Sequence, residues 1–318
     1  VVLTTNPDTN VASVTGDQLD SSRGDLFVTK ISKRGDEVFR YQLDELTESG
    51  ANSVAVDSAG DIYVGGYTAK SIPLTESSSV ATDAVILKLS GSNGAVLSSQ
   101  EYDNATDETI KGIAVDANDN LVVAVEEDGN AVVRRINGTD LTNQTDSVNL
   151  GSLGTSGALQ GIAIDNANNK VFVAGFTTNS SLDASGAATV NGTALGGHEG
   201  FLSGFTLSGS TALTADFTTY LSTTGSDKIA DITVQNGTVY IAGSTTGELS
   251  GESKRGSTDG FVAKVSGTGT LQDVEQFGES LSHSRVSGVA FTDKGNSVLE
   301  TLGLPQGTID IDETLDVE

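Results

Sequence analysis

The chain has 318 residues, 36% of them hydrophobic, with a formal charge of −26 and a pI near 4.1. A surface this acidic repels nucleic acid and anionic lipid, and no apolar run approaches the length of a membrane span, so neither nucleic acid nor direct membrane insertion is expected. The absence of Cys, Met and Trp excludes disulfides, thiolate zinc sites and cysteine catalysis.

In chain order, Val1–Thr5 reads as a short strand. A β-branched run, DLFVTKIS from Asp25, and a more polar one, EVFRYQL from Glu37, come after it. The phrase NSVAVDSAGDIYVGGYT from Asn52 is two β-branched runs joined by an Asp/Gly turn, a β-hairpin signature. DAVILKLS from Asp83 and a polar strand, AVLSSQEY, complete a four-strand phrase. The phrase returns with KGIAVDANDNLVVAVEE from Lys111 and NAVVRRIN from Asn130, and with QGIAIDNANNKVFVAGFT from Gln160 and EGFLSGFTLS from Glu199. A further copy carries ADITVQNGTVYIAGST from Ala230 and DGFVAKVS from Asp259, and SGVAFTDKGNSVLETLG from Ser287 is a partial one.

The unit is therefore four strands, A-B-C-D, joined by hairpin-like turns. Strand A ends at Asp57, Asp116, Asp165, Gln235 and Thr292, in steps of 59, 49, 70 and 57 residues. A four-stranded antiparallel unit at this period predicts an all-β, five-bladed β-propeller. Its blades span about 51–103, 109–151, 158–222 and 227–279, and the fifth joins 285–304 to 1–43. Sharing one blade between the two ends removes both open edges. Either Val1–Thr5 or Ser297–Leu304 supplies strand B of that blade. Apolar character falls from A to D, as expected if A lines a central channel. Residues 305–318, with Asp310, Asp312, Glu313, Asp316 and Glu318, read as an acidic linker or the start of a further domain.

AVDSAGDIYVGGYT followed by DAVILKLSGSNGAVL resembles the bacterial SBBP β-propeller repeat family, which is related in style to NHL-type repeats. GIAVDANDN and GFVAKVSGTGTL follow the same pattern, and the resemblance runs from about Asp25 to Thr292. It implies the propeller architecture and a place among bacterial surface and secreted proteins. The family has no catalytic motif to carry over. SVLETLGLPQGTIDIDE is similar to segments of large flagellin-associated proteins of alphaproteobacteria, which implies a cell-surface appendage.

Long polar loops on a rigid scaffold are where binding sits. The B–C loops are the long ones: Asn6–Gly24, Ala69–Thr82, Thr178–Glu199 and Thr246–Thr258, against a tight Asp128–Gly129 turn in the second blade. The expected interaction face carries Thr178, Asn179, His198, Glu199, Lys254, Arg255 and His283. The two histidines could act as metal ligands or acid–base groups only by converging with carboxylates such as Glu199, and surface histidine is the preferred reading.

The Asp-rich A–B turns offer oxygen ligands for calcium at Asp57, Asp61, Asp116 and Asp165. None follows the EF-hand spacing, and turn capping is the preferred reading, so no cofactor is expected beyond that calcium option. Arg134–Arg135, like Lys33–Arg34 and Lys254–Arg255, reads as local charge balance.

No nucleophile elbow, zinc-binding helix or phosphate loop occurs. The expectation is a non-enzymatic module, secreted or on the cell surface of a bacterium. Its partners would be other surface proteins, a second copy or a glycan. A secreted polysaccharide-active hydrolase or lyase with an acidic site at the channel mouth is the alternative. The start at Val1 reads as a processed or excised piece.

Overall fold

The computed structural model describes residues 2–5, 26–43, 49–69, 82–102, 106–141, 144–179, 182, 189–195, 197–280, 282–291 and 297–300. The whole Asn6–Gly24 loop, most of the Ala69–Thr82 loop and the acidic segment 305–318 lie outside them. Among the described residues every regular element is a strand.

In chain order the strands are β1 (Val2–Thr5), β2 (Leu26–Ile31), β3 (Glu37–Gln42), β4 (Ser49–Val56), β5 (Ile62–Thr68), β6 (Asp83–Leu89) and β7 (Val96–Tyr102). Then come β8 (Glu108–Val115), β9 (Leu121–Glu127), β10 (Asn130–Ile136), β11 (Gln144–Ser152), β12 (Ala158–Asp165), β13 (Lys170–Thr177) and β14 (Thr189–Asn191). The last are β15 (Glu199–Ser208), β16 (Ala212–Leu221), β17 (Asp227–Gln235), β18 (Thr238–Thr245), β19 (Asp259–Ser266), β20 (Leu271–Phe277), β21 (Gly288–Phe291) and β22 (Ser297–Glu300).

Three four-stranded antiparallel sheets, β4–β7, β8–β11 and β17–β20, reproduce the A-B-C-D phrase. The third copy has five strands in the order β12-β13-β15-β16-β14. Its extra strand, β14, comes from the B–C loop and runs parallel to the outer strand β16. The sequence offered no sign of it, because TVN is too short to carry a period. The chain ends form two smaller sheets, β1-β2-β3 and β21-β22.

The chain divides into two compact units. Unit 1 is Val1–Ser152 with the hairpin tip Thr206–Thr214, and unit 2 is Leu153–Phe205 with Ala215–Glu318. Among its described residues unit 1 has two apolar clusters. One gathers Leu26, Val28 and Phe39 with Ile62, Val64 and Leu87; the other gathers Tyr63 and Ile86 with Ile110, Leu121 and Ile136. In unit 2, Phe172, Phe217, Ile232, Ile241 and Phe261 form the centre. Each cluster joins faces of successive sheets, as repeat proteins require.

The most enclosed strands are B and C. Strands β5 and β6 each bury six of seven residues, whereas strand A of the same sheet, β4, buries only its first three. Apolar character therefore does not decline steadily from A. B and C are flanked by a strand on both edges, so each is covered in the sheet plane as well as above and below it.

Turn chemistry follows the sequence closely. Asp128–Gly129 joins β9 to β10 with positive φ at both residues (48° and 70°), the mirror-image turn that matches strand twist. The A–B and C–D turns of a sheet lie at one end of its strands and touch: a Cβ on Gly91 would sit 1.8 Å from the Gly60 carbonyl oxygen, and one on Gly138 the same distance from that of Asp119.

Candidate functional site

At the other end of the strands, where the B–C loops and D–A connections emerge, polar residues are buried in rows. Strand register sets Asp227 opposite Thr245 and Thr245 opposite Asp259, across β17, β18 and β19. The equivalent row in unit 1 is Ser49, Thr68 and Asp83. These positions are the first residue of A, the last of B and the first of C, and all six are buried.

A buried carboxylate must be provided with donors, and here its own loops supply them. Asp259 accepts hydrogen bonds from the backbone N–H of Arg255 (2.7 Å) and of Gly256 (2.6 Å) and from the Gln276 side chain (2.9 Å). Asp227 accepts from the Thr223 N–H (2.6 Å) and from the Thr223 and Thr245 hydroxyls. Glu199 accepts from the Leu195 N–H at 3.1 Å. In each case the amide lies four residues before the acid, so the carboxylate pins the last turn of its loop.

A second device recurs at three junctions between successive repeats. The residue before strand C offers its carbonyl to an N–H at the start of the following repeat: Thr82 to Glu108 (2.8 Å) and His198 to Asp227 (2.7 Å), each the first residue of its strand A, and Thr258 to Ser284 (2.8 Å), ahead of β21. A side-chain bond sits beside each backbone bond. The Thr82 hydroxyl donates to Asp107 Oδ1 (3.2 Å), the His198 Nδ1 is 3.2 Å from the Ser226 hydroxyl, and the His283 Nδ1 is 3.0 Å from the Thr258 hydroxyl. His198 also reaches the Ser156 hydroxyl with Nε2 (2.8 Å) and stands edge-on to Phe176. The two histidines therefore occupy opposite sides of the same clamp at successive junctions, each with a hydroxyl partner. Burial, reinforced by the Lys228 charge, holds the His198 ring below its ordinary pKa, so it is neutral at neutral pH.

The other expected site residues also anchor the loops. Thr178 N–H donates to the Leu153 carbonyl (3.0 Å), Asn179 N–H to the Thr177 hydroxyl (2.9 Å), and Lys254 Nζ to the Thr246 carbonyl (2.6 Å). The Arg255 contact described above is through its backbone. Leu182 N–H donates to the Tyr220 hydroxyl at 2.9 Å, and Asn191 Nδ2 bonds the Gly269 carbonyl at 3.3 Å. The Thr178–Glu199 loop is thus tied down along its described residues, and it presents Val190 and Leu195 to solvent, the latter 56% exposed. Among the described residues the remaining exposed large hydrophobics are Ile31, Val38, Val56, Val96 and Leu97. All five belong to unit 1 and sit beside A–B or C–D turns, at the end of the strands away from the B–C loops.

The calcium candidates behave as turn caps. Asp57 Oδ1 accepts the N–H of Ala59 and of Asp61, Asp116 Oδ1 those of Asn118 and Asn120, and Asp165 Oδ1 those of Ala167 and Asn168. A cation of this chain takes the second oxygen in two of them: Lys88 Nζ lies 3.1 Å from Asp57, and Arg135 Nη2 lies 2.5 Å from Asp116. Asp61 is 3.8 Å from the same Lys88 Nζ.

The two buried carboxyls of the last full sheet should respond oppositely to acid. Burial pushes Asp259 up, but its loop and Gln276 donors outweigh that and hold it below 3.8; burial pushes Asp227 above 3.8, with the Glu199 charge adding to it. A depressed carboxyl stabilises the fold above pH 3.8 and loses that contribution as pH falls through its folded value. A raised one stabilises below 3.8 and loses the contribution as pH rises through its folded value. Asp259→Asn should flatten the acid-side fall in unfolding free energy and Asp227→Asn should steepen it. Urea titrations between about pH 3 and 6 read the two slopes, and identical slopes would refute the assignment.

No family model matches the sequence. Over 331 aligned residues the chain is 29% identical to "Regulatory protein FlaEY" of Caulobacter vibrioides, an alignment taking in 92% of this chain and 33% of that protein. The chain thus spans about a third of the length of this curated relative. Among solved structures it is similar to BamB from Moraxella catarrhalis, at 13% identity and a TM-score of 0.38 over 86% of this chain and 78% of that one. It is also similar to virginiamycin B lyase from Staphylococcus aureus, at 11% identity and a TM-score of 0.42 over 84% and 82%.

Proposed function

We propose that this chain is a non-enzymatic interaction module of a longer bacterial surface or secreted protein, built as a five-bladed propeller whose ends share one blade. The observation that carries the functional reading is the pinned Thr178–Glu199 loop. Its backbone is anchored at Thr178, Leu182, β14 and Glu199, while Val190 and Leu195 are left in solvent. An apolar contact held on a fixed backbone loses little conformational freedom on binding. Asp227 and Asp259 at the same end are spent on the protein's own amides. Asp227, with no exposed surface, is enclosed by Thr223 and Thr245 and is not presented to a substrate.

The similarity to a protein named as regulatory supports reading the chain as a contact module within a longer polypeptide. The acidic composition suits solubility in a salty external setting. The partner is a protein with an apolar patch, of the surface assembly or a second copy.

A photo-crosslinking side chain in the full-length protein tests this. Placed at Leu195 it should capture a partner in intact cells; placed at Leu97, at the opposite end of the strands in unit 1, it should not. Capture at position 97 alone would move the binding surface to the turn end.

A further inference from the structure

Lys228 breaks the pattern of the chain's cations. The sequence sets 43 acidic residues against 17 Lys and Arg, so carboxylate partners are plentiful. Lys88, Arg134, Arg135 and Lys170 each pair with one. Lys228, the second residue of β17 and partly buried, makes no ion pair among the described residues. The Asp227 carboxylate next to it is turned to Thr223 and Thr245, and Glu199 accepts the Leu195 N–H. The Lys228 ammonium stands instead over the Phe176 ring, 4.5 Å from its centre, a cation–π contact. His198 stands edge-on to the same ring at 5.6 Å, and its Nε2 is 2.8 Å from the exposed Ser156 hydroxyl. Leu195, exposed on the contact loop, comes three residues before His198. A cation, a hydroxyl and an imidazole kept neutral by burial and by the Lys228 charge thus gather around one aromatic ring of unit 2.

We propose that Lys228 and Ser156 bind a carboxylate, so that the partner of the Thr178–Glu199 loop carries an acidic side chain beside the apolar patch that meets Leu195. This deepens the contact reading above and rests on it. An arriving anion selects one tautomer of His198: Ser226 donates to Nδ1, Nε2 donates to the Ser156 oxygen, and the Ser156 hydrogen is left to donate outward. The chain of donors is polarised toward the anion, and the Lys228 ammonium supplies the opposite charge. One ammonium and one hydroxyl match the single charge of a carboxylate; the double charge of a phosphate ester calls for guanidinium forks. An acidic side chain is repelled by most of a surface with net charge −26, so this contact also fixes where the partner docks.

The chain has two histidines, so proton NMR of the whole chain gives two sets of imidazole signals, and His198→Gln identifies which is which. The probe is sodium isovalerate, a branched apolar tail on a carboxylate; isovaleramide has the same shape without the charge. At about pH 7.5 and constant ionic strength, isovalerate should shift the His198 signal saturably, with a midpoint on the order of 10 mM, and leave His283 in place. Isovaleramide should shift neither. Lys228→Met should lose the response and Lys228→Arg should keep it, with an unmoved His283 signal showing that both variants are folded. A His198 shift that isovaleramide reproduces or that survives in Lys228→Met overturns the carboxylate site, and so does no shift up to about 100 mM isovalerate. The crosslinker at Leu195 in the full-length protein separates this contact from the loop reading. Lys228→Glu should cut capture about tenfold. Unchanged capture overturns the acidic contact alone, whereas no capture with Lys228 in place overturns the loop reading, whatever isovalerate does.

Discussion

Replacing Arg135 by Met is expected to destabilise unit 1 by about 3–5 kcal/mol, a fall in melting temperature of roughly 6–15 °C. Arg135 is only 1% exposed. It pairs with Asp116 at 2.5 Å and donates to the carbonyls of Ala212 (3.0 Å) and Ser208 (3.4 Å) at the hairpin tip that belongs to the same unit. Met fills much of the volume but leaves the Asp116 carboxylate buried without its counter-charge. Adding Asp116→Asn removes that charge and keeps an acceptor for Asn118 and Asn120, so the double variant should recover about half of the loss. The pair is thus coupled, and a double-mutant cycle by chemical unfolding measures the coupling. A single-variant cost below about 1 kcal/mol would show that water replaces the guanidinium, and the buried-pair account would fail.

Gly138→Ala is expected to cost about 3 kcal/mol, the upper end of the range for overpacking. The new methyl would sit 1.8 Å from the Asp119 carbonyl oxygen, and backbone cannot swing aside as a side chain can. Moving the turn away also disturbs the bond that the buried Tyr63 hydroxyl donates to the Gly138 carbonyl at 2.8 Å. Gly91→Ala meets the Gly60 carbonyl at the same distance and would displace residue 91's own carbonyl, which accepts from Lys30 Nζ at 2.5 Å. The two variants should therefore lower the melting temperature to a similar extent. A neutral result for both would mean that the turn pairs part without cost.

These sites show where sequence reading reaches its limit. The strands were legible because each A–B phrase alternates or runs β-branched for seven or eight residues and is punctuated by Asp, Asn and Gly. Asp128–Gly129 named its own turn. Arg135 was not legible: beside Arg134 it looks like one of several basic pairs, and although strand alternation puts the two on opposite faces, nothing local says that one meets Glu127 and the other a buried Asp116. The contacts of the histidines were hidden in the same way. Their partners lie 25 to 42 residues away, and a lone His carries no record of such a neighbour. Strand β14 was hidden because its pairing is set by the strand it joins rather than by its own three residues.

The junction clamp has a consequence for how the molecule comes apart. Each clamp ties an amide at the start of one repeat to the carbonyl before strand C of the preceding one, and beside it three different side-chain pairs serve equally: Thr82 with Asp107, His198 with Ser226, Thr258 with His283. Coupling therefore runs between nearest neighbours and is carried largely by backbone. Loss of the side-chain pair at one of these junctions should therefore weaken it only slightly, because the backbone bond beside the pair remains.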